Sequence, residues 1–218
     1  MVVLGTRNRK KLDELVEILG DLPIEISDLS QWPDLPEVIE DGPTFESNAR
    51  KKASQLARLL RHWVLGEDSG LVVPALGGQP GVYSARYAGG HGDDNANNVR
   101  LLAAMEHLPE ENRTAYYVCA IVLANPAGEV CAVVEGRCHG IICRQLLGSG
   151  GFGYDPLFLI PECHRTFGQL SPRVKHAISH RARALAKLRP SLARLLHVES
   201  RALLDPSKEP RSAPPGTD

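Results

Sequence analysis

The chain has 218 residues, 43% apolar and 23% charged, with a formal net charge of −1: the balance of a globular protein long enough to bury a substantial core. Near-neutral charge without a basic stripe argues against a broad nucleic-acid or acidic-membrane surface and points to a small partner. Met1-Val2-Val3-Leu4-Gly5 does not open a signal peptide, no segment reaches membrane length, and five cysteines without a C-x-x-C pair read as free thiols, so a soluble cytoplasmic protein is expected.

Val2-Val3-Leu4 reads as a short strand, Gly5-Thr6-Arg7-Asn8-Arg9-Lys10-Lys11 as a loop, and Leu12, Leu15, Val16 and Leu19 as the apolar face of a helix. A loop opening a helix offers backbone N–H groups and the positive end of the helix dipole, and Lys11 adds a full charge, so phosphate suits this place. The loop lacks the glycines of a Walker-type cradle, and plain solvation of its basic residues is the competing reading. Ile24 to Ser27 suggests a second strand and Gln31 to Gly42 a proline-rich, acidic connector. Phe45, Ala49, Ala53, Leu56, Ala57 and Leu60 trace one face of a second helix. Asn48 and Lys52, i and i+4 beside that face, either meet something polar or decorate the surface.

In Trp63 to Val73, two apolar runs rich in β-branched residues flank Gly66-Glu67-Asp68-Ser69-Gly70, which reads as strand, tight turn, strand. Two adjacent carboxylates at a strand end can share Mg²⁺ or divide into ligand and base; a solvated acidic turn is the alternative. Dense glycine and proline from Leu76 to Tyr87 predict a fixed loop that sets Arg86 between two tyrosines, for phosphate or for a structural ion pair. Asp93 to His107 has the pattern of a helix capped by Asp93 or Asp94. Ala115 to Ala124 and Glu129 to His139 form a hairpin across Asn125-Pro126-Ala127-Gly128, with Ile141 to Arg144 resuming after a break at Gly140; nothing in these strands looks chemical.

Gly148 to Pro156 places glycines on both sides of Phe152, so a flat ligand could lie on the ring while Asp155 accepts from its N–H groups; a glycine-rich turn around a core Phe is the plainer reading. Ser179 suits a helix N-cap with His180 and Arg181 in the first turn, where cations oppose the dipole and so suggest a use other than helix stability. That helix runs through Leu185, Leu188, Leu192 and Leu195, with Pro190 kinking or dividing it. Residues 200–218 form a polar, proline-rich tail expected to be disordered, leaving 1–199 as one domain.

Taken together, Thr6-x-Asn8-x-x-Lys11, Asn48-Ala49-x-x-Lys52-Ala53, Glu67-Asp68-Ser69-Gly70-Leu71, Leu76-Gly77-Gly78-x-Pro80-Gly81-Val82-Tyr83-Ser84-Ala85-Arg86-Tyr87, Gly150-Gly151-Phe152-Gly153-Tyr154-Asp155-Pro156 and Ser179-His180-Arg181 resemble, in order and spacing, the inosine triphosphatase-like family. These are the non-canonical purine nucleoside triphosphate pyrophosphatases acting on dITP, ITP and XTP. The resemblance implies an elongated α/β fold with a long mixed sheet, flanking helices and two lobes around a nucleotide cleft, in a homodimer that requires Mg²⁺ and binds neither nucleic acid nor membrane. It implies Asp68 as general base and metal ligand; Glu67, the other half of the acidic pair, is the candidate second ligand. Substrate contacts then fall to Thr6, Arg7, Asn8, Arg9, Lys10, Lys11, Lys52, Ser69, Phe152, Gly153, Tyr154, Asp155, Lys175, His180 and Arg181.

One departure from that family stands out. Its members commonly carry Phe-x-Glu-Asn-Ala in the second helix, with the glutamate helping to hold metal, whereas this chain has Phe45-Glu46-Ser47-Asn48-Ala49. Either Glu67 with water completes the coordination or metal affinity is weakened, and a nucleotide-binding sensor that has lost turnover is the alternative function. A hydrolase removing only the terminal phosphate is the competing enzyme.

Overall fold

The computed structural model describes residues 1–203 apart from Asp21 and His91, with backbone alone for residues 196–203. Met1–Leu188 is one compact unit; a second begins at Arg189 and contains the end of the last helix, which spans His180–Leu203. The stretch expected to be disordered lies, from residue 204, outside the described residues. Among the described residues no helix is long and apolar enough to cross a membrane.

Among the described residues, seven strands form one mixed sheet: β1 (Val2–Leu4), β2 (Ile26–Asp28), β3 (Trp63–Val72), β4 (Thr114–Ala124), β5 (Val130–Ile142), β6 (Phe158–Ile160) and β7 (Arg165–Thr166), in the order β2-β1-β3-β4-β5-β6-β7. β1 runs parallel to β2 and to β3, and every later pairing is antiparallel. The parallel part follows from two helical crossovers, α1 (Arg9–Leu19) between β1 and β2 and α2 (Phe45–Leu60) between β2 and β3. The antiparallel part follows from the hairpin at Asn125 to Glu129, where the Asn125 side chain accepts from the Ala127 and Glu129 N–H groups. α3 (Asp94–Ala104), α4 (Pro172–Ile178) and α5 (His180–Leu203) are the other α-helices among the described residues.

β3 is a single strand of ten residues with no turn at Gly66 to Gly70. The glycines serve close approach instead. A Cβ on Gly66 would stand 2.6 Å from the Ala49 carbonyl oxygen of α2, and one on Gly70 would stand 2.4 Å from Ser84 Oγ. Unbroken alternation then sends Asp68 toward α2 and sends Glu67 and Ser69 toward α5.

α2 buries Ala49, Ala53, Leu56 and Ala57 against Val3, Val64, Ala120 and Val122. A second apolar cluster joins Leu71, Leu101, Met105 and Tyr117 to Tyr154, Phe158 and Phe167, and it seats the glycine-rich loop. β5 runs through Gly140 without the expected break, reaching Ile142.

Candidate active site

A cleft of about 260 Å³ opens where the start of α1, the middle of β3, the glycine-rich loop and the α4–α5 junction converge. At the start of α1, the Asn8 side chain caps the helix by accepting from the Lys11 N–H at 3.2 Å, and Thr6 Oγ1 accepts from the Asn8 N–H at 3.2 Å. Both side chains line the cleft while fixing the loop that carries them. Arg7 lines it as well, its guanidinium donating to the carbonyls of Trp32 and Leu35 at 3.5 and 3.0 Å. Arg9 is not in the cleft and pairs with Asp13 at the surface; Lys10 bridges to Asp94 at 3.0 Å and stands 5.7 Å from the Phe152 ring.

Asp68 is buried and lines the cleft. Its Oδ2 accepts from Asn48 Nδ2 at 2.9 Å and its Oδ1 from the Ser69 N–H at 2.9 Å. Burial pushes its pKa up; Lys11, Lys52 and the Asn48 hydrogen bond oppose the rise, Glu40 adds to it, and the net shift is upward. Lys52 comes from the same helix as Asn48, one turn on, and holds the Glu67 carbonyl at 2.9 Å and Glu40 at 2.8 Å. Glu40 and Asp68 both line the cleft.

Glu67 is not at that cleft, although it was paired with Asp68 as a metal ligand on sequence grounds. One residue along the strand from Asp68, it points to the other face, where Arg181 takes both its oxygens at 2.8 and 3.1 Å and Lys11 stands 3.5 Å away. Burial alone would raise its pKa, but the adjacent guanidinium and ammonium outweigh burial and hold it well below the carboxylate range. Arg181 also donates to Glu14, and Lys175 reaches Glu14 at 2.7 Å and Asp155 at 2.5 Å. A chain of alternating charges, buried from Glu67 onward, thus runs Lys11–Glu67–Arg181–Glu14–Lys175–Asp155.

At the far end of that chain Asp155 accepts from the Phe152 N–H at 2.9 Å, and the Phe152 ring lies under Lys175 Nζ at 4.5 Å. Gly153 joins the wall; Tyr154 lines it too, with its hydroxyl turned to the Ser84 carbonyl at 2.9 Å. His180 stacks on Tyr117 with centroids 4.7 Å apart, and its Nδ1 is buried without a protein partner. Burial together with Arg181 and Lys175 pushes the imidazole pKa well down, so it is neutral.

Ser47 has a structural job. Thr44 and Ser47 close a capping box at the start of α2, Ser47 N–H donating to Thr44 Oγ1 and Thr44 N–H to Ser47 Oγ, each at 3.1 Å. Glutamate is the usual partner at this third helical position of a capping box, so the departure at residue 47 touches the helix cap and not the cleft. Glu46 is tied to Arg50 at 2.7 Å on the surface.

Four residues that shape this site are absent from the set the sequence suggested. Glu40 sits in an acidic connector without helical or strand period, and the signal was only its place ahead of α2. Glu14 lies beside Leu15 on the inner flank of α1, a charge where an apolar residue belongs. Tyr117 reads as one more strand aromatic. Asp94, read as a helix cap, accepts from the Gly153 N–H at 2.9 Å and so pins the loop carrying Phe152.

Residues 2–191 match the Ham1 family. The chain is 51% identical over 199 residues to a dITP/XTP pyrophosphatase of Rhodopirellula baltica, covering 91% of this chain and 96% of that protein. It is 49% identical over 191 residues to one of Geobacter sulfurreducens, covering 88% and 96%. The fold superposes on the structure of a HAM1 protein from Coxiella burnetii with a TM-score of 0.81 at 38% identity, over 88% of this chain and 98% of that one. A nucleoside-triphosphatase / dITP/XTP pyrophosphatase from Mycobacterium abscessus gives 0.71 at 45% identity, over 88% and 98%.

Proposed function

The chain belongs to the Ham1 family, and from that premise we propose that it hydrolyses non-canonical purine nucleoside triphosphates such as dITP and XTP to the monophosphate and pyrophosphate. The observation that carries the reading is Asp68: a buried carboxylate of raised pKa, oriented by Asn48 and Ser69, at a cleft walled by lysines on one side and by Phe152, Asp155 and His180 on another.

Water attacking the α-phosphorus loses a proton as the bond from that phosphorus to the bridging oxygen breaks and pyrophosphate departs. Asp68 is suited to take the proton, because its raised pKa makes it the stronger base once ionised. Lys11 and Lys52 answer charge on the phosphate oxygens. An ion such as Mg²⁺ is commonly held by one or two carboxylates together with the substrate's own phosphates. Asp68 and Glu40 would hold it, and when bound it would neutralise phosphate charge.

Base choice falls to His180 more than to Arg181, whose guanidinium is committed to Glu67 and Glu14. Hypoxanthine and xanthine present an acceptor at position 6 and adenine a donor. A neutral imidazole N–H facing that position pairs with the first two; adenine leaves it unpaired at a cost of about 1–3 kcal/mol. A homodimer, and a cytoplasmic place alongside the nucleotide pool, belong to the same proposal; sedimentation equilibrium checks the first. A sensor without turnover is the alternative reading; against it stands the engagement of Ser47 in the α2 cap.

The test is a nucleotide panel at fixed Mg²⁺ with product analysis. Pyrophosphate release from dITP and XTP much faster than from dATP and dGTP is expected. A flat profile, or orthophosphate as sole product, overturns the reading.

A further inference from the structure

We propose that Arg86 binds the departing pyrophosphate, an assignment that rests on the reaction proposed above. Most cations lining the cleft already have a carboxylate: Lys11 has Glu67 at 3.5 Å, Lys52 has Glu40 at 2.8 Å, Lys175 has Asp155 at 2.5 Å and Arg181 has Glu67 at 2.8 Å. Among the described residues, the cleft-lining Arg7 and Arg86 make no such ion pair. Arg7 is engaged by two backbone carbonyls, one at 3.0 Å. Arg86 has a 3.5 Å contact to the Glu40 carbonyl, at the limit of a hydrogen bond, and lies 5.2 Å over the Tyr83 ring.

The fold holds this guanidinium in place while, among the described residues, only the long contact to the Glu40 carbonyl engages its donors. Gly81–Arg86 is a 3₁₀ segment laid against β3, where Ser84 Oγ accepts from the Leu71 N–H at 2.9 Å, three residues past Asp68. The contact with the Glu40 peptide puts Arg86 at the end of the cleft where Glu40 meets Lys52. When the phosphorus–oxygen bond breaks, its electron pair stays on the bridging oxygen, so negative charge grows on the leaving pyrophosphate. A planar fork of N–H donors without a carboxylate partner matches that product in shape and sign.

Calorimetric titration of wild type, Arg86→Gln and Arg86→Lys with magnesium pyrophosphate, and separately with dIMP, decides the matter. The expected result is pyrophosphate binding weaker by about tenfold or more in Arg86→Gln, partly recovered in Arg86→Lys, with dIMP affinity kept within about twofold in both. Equal pyrophosphate affinity in wild type and Arg86→Gln, or an equal loss for dIMP, overturns the assignment. Binding is read without turnover, so a wild-type protein that fails to release pyrophosphate from dITP would count against the reaction and not against this site.

Discussion

Asp68 shows how much one strand position decides. Its neighbour Glu67 is the same kind of group, yet the pleat sends it to Arg181, where its pKa is held down, while Asp68 faces the cleft with its pKa raised. A base stranded at low pKa beside a guanidinium would accept protons poorly. Asp68→Asn is therefore expected to lower kcat by about 10²–10⁴, with nucleotide affinity retained, as steady-state rates and calorimetry will show. Retained turnover would move the general-base role elsewhere. The acidic pair between two strand-like runs marked both carboxylates as candidates and the family resemblance singled out Asp68, but the separation of the pair onto two faces was not legible, because the glycines around it read as a turn. Glu14, whose partners Arg181 and Lys175 lie more than 150 positions away in sequence, left no local trace beyond a charge on an inner helix flank.

Elements carry their own constraints, and two glycine-bearing segments illustrate them. Gly66 and Gly70 read as a turn because glycine and acidic residues share turn statistics; the actual cause, close passage of α2 and of the 3₁₀ segment, is a tertiary fact that composition does not encode. The cap of α2 is the converse case, since Thr44 three residues before Ser47 is a purely local pattern, and it engages the residue standing where the family commonly carries a glutamate. Ser47→Glu should leave the Mg²⁺ concentration for half-maximal activity unchanged and alter stability by no more than about 1 kcal/mol, read by metal titration and thermal melting. A marked gain in Mg²⁺ affinity would restore residue 47 to the metal site. The glycine-rich loop depends on α3: Asp94 takes the Gly153 N–H at 2.9 Å and Lys10 at 3.0 Å, and Asn98 donates to the Gly153 carbonyl at 2.9 Å. Removing the carboxylate frees the platform that bears Phe152. Asp94→Ala is expected to raise KM for dITP by about tenfold and to narrow the preference over dGTP, with Mg²⁺ activation unaltered; unchanged KM would show that the loop holds itself.

Across the whole first unit, the same buried ionic chain that orients the cleft is also a determinant of stability. Glu67 and Glu14 are both buried against the buried Arg181; Glu14 also meets the buried Lys175 and Glu67 the partly exposed Lys11, so water screens these contacts poorly. For Glu14, burial pushes the pKa up, but Arg181 and Lys175 outweigh it and the folded value falls below the ordinary 4.5. A carboxylate with a depressed folded pKa contributes stability that is fully present above its unfolded value and drains away as pH falls toward the folded one. Asp68 and, at the end of the chain itself, Asp155 have pKa values that burial raises; both work in the opposite sense and offset part of that loss. Melting temperature should thus hold steady from pH 7 to about 5 and drop steeply below about 4.5, and 0.5 M NaCl should not abolish the drop, because screening reaches buried pairs poorly. Glu14→Gln separates this cause from general acid unfolding. It strands Lys175 and Arg181 with one fewer counter-charge, at a cost of about 3–5 kcal/mol at pH 7, and it removes one of the two groups of this ionic chain whose pKa is depressed. The variant should melt lower at neutral pH yet show a shallower fall between pH 5 and 3; a parallel, equally steep curve would mean that the acid sensitivity of the fold lies outside this chain of charges.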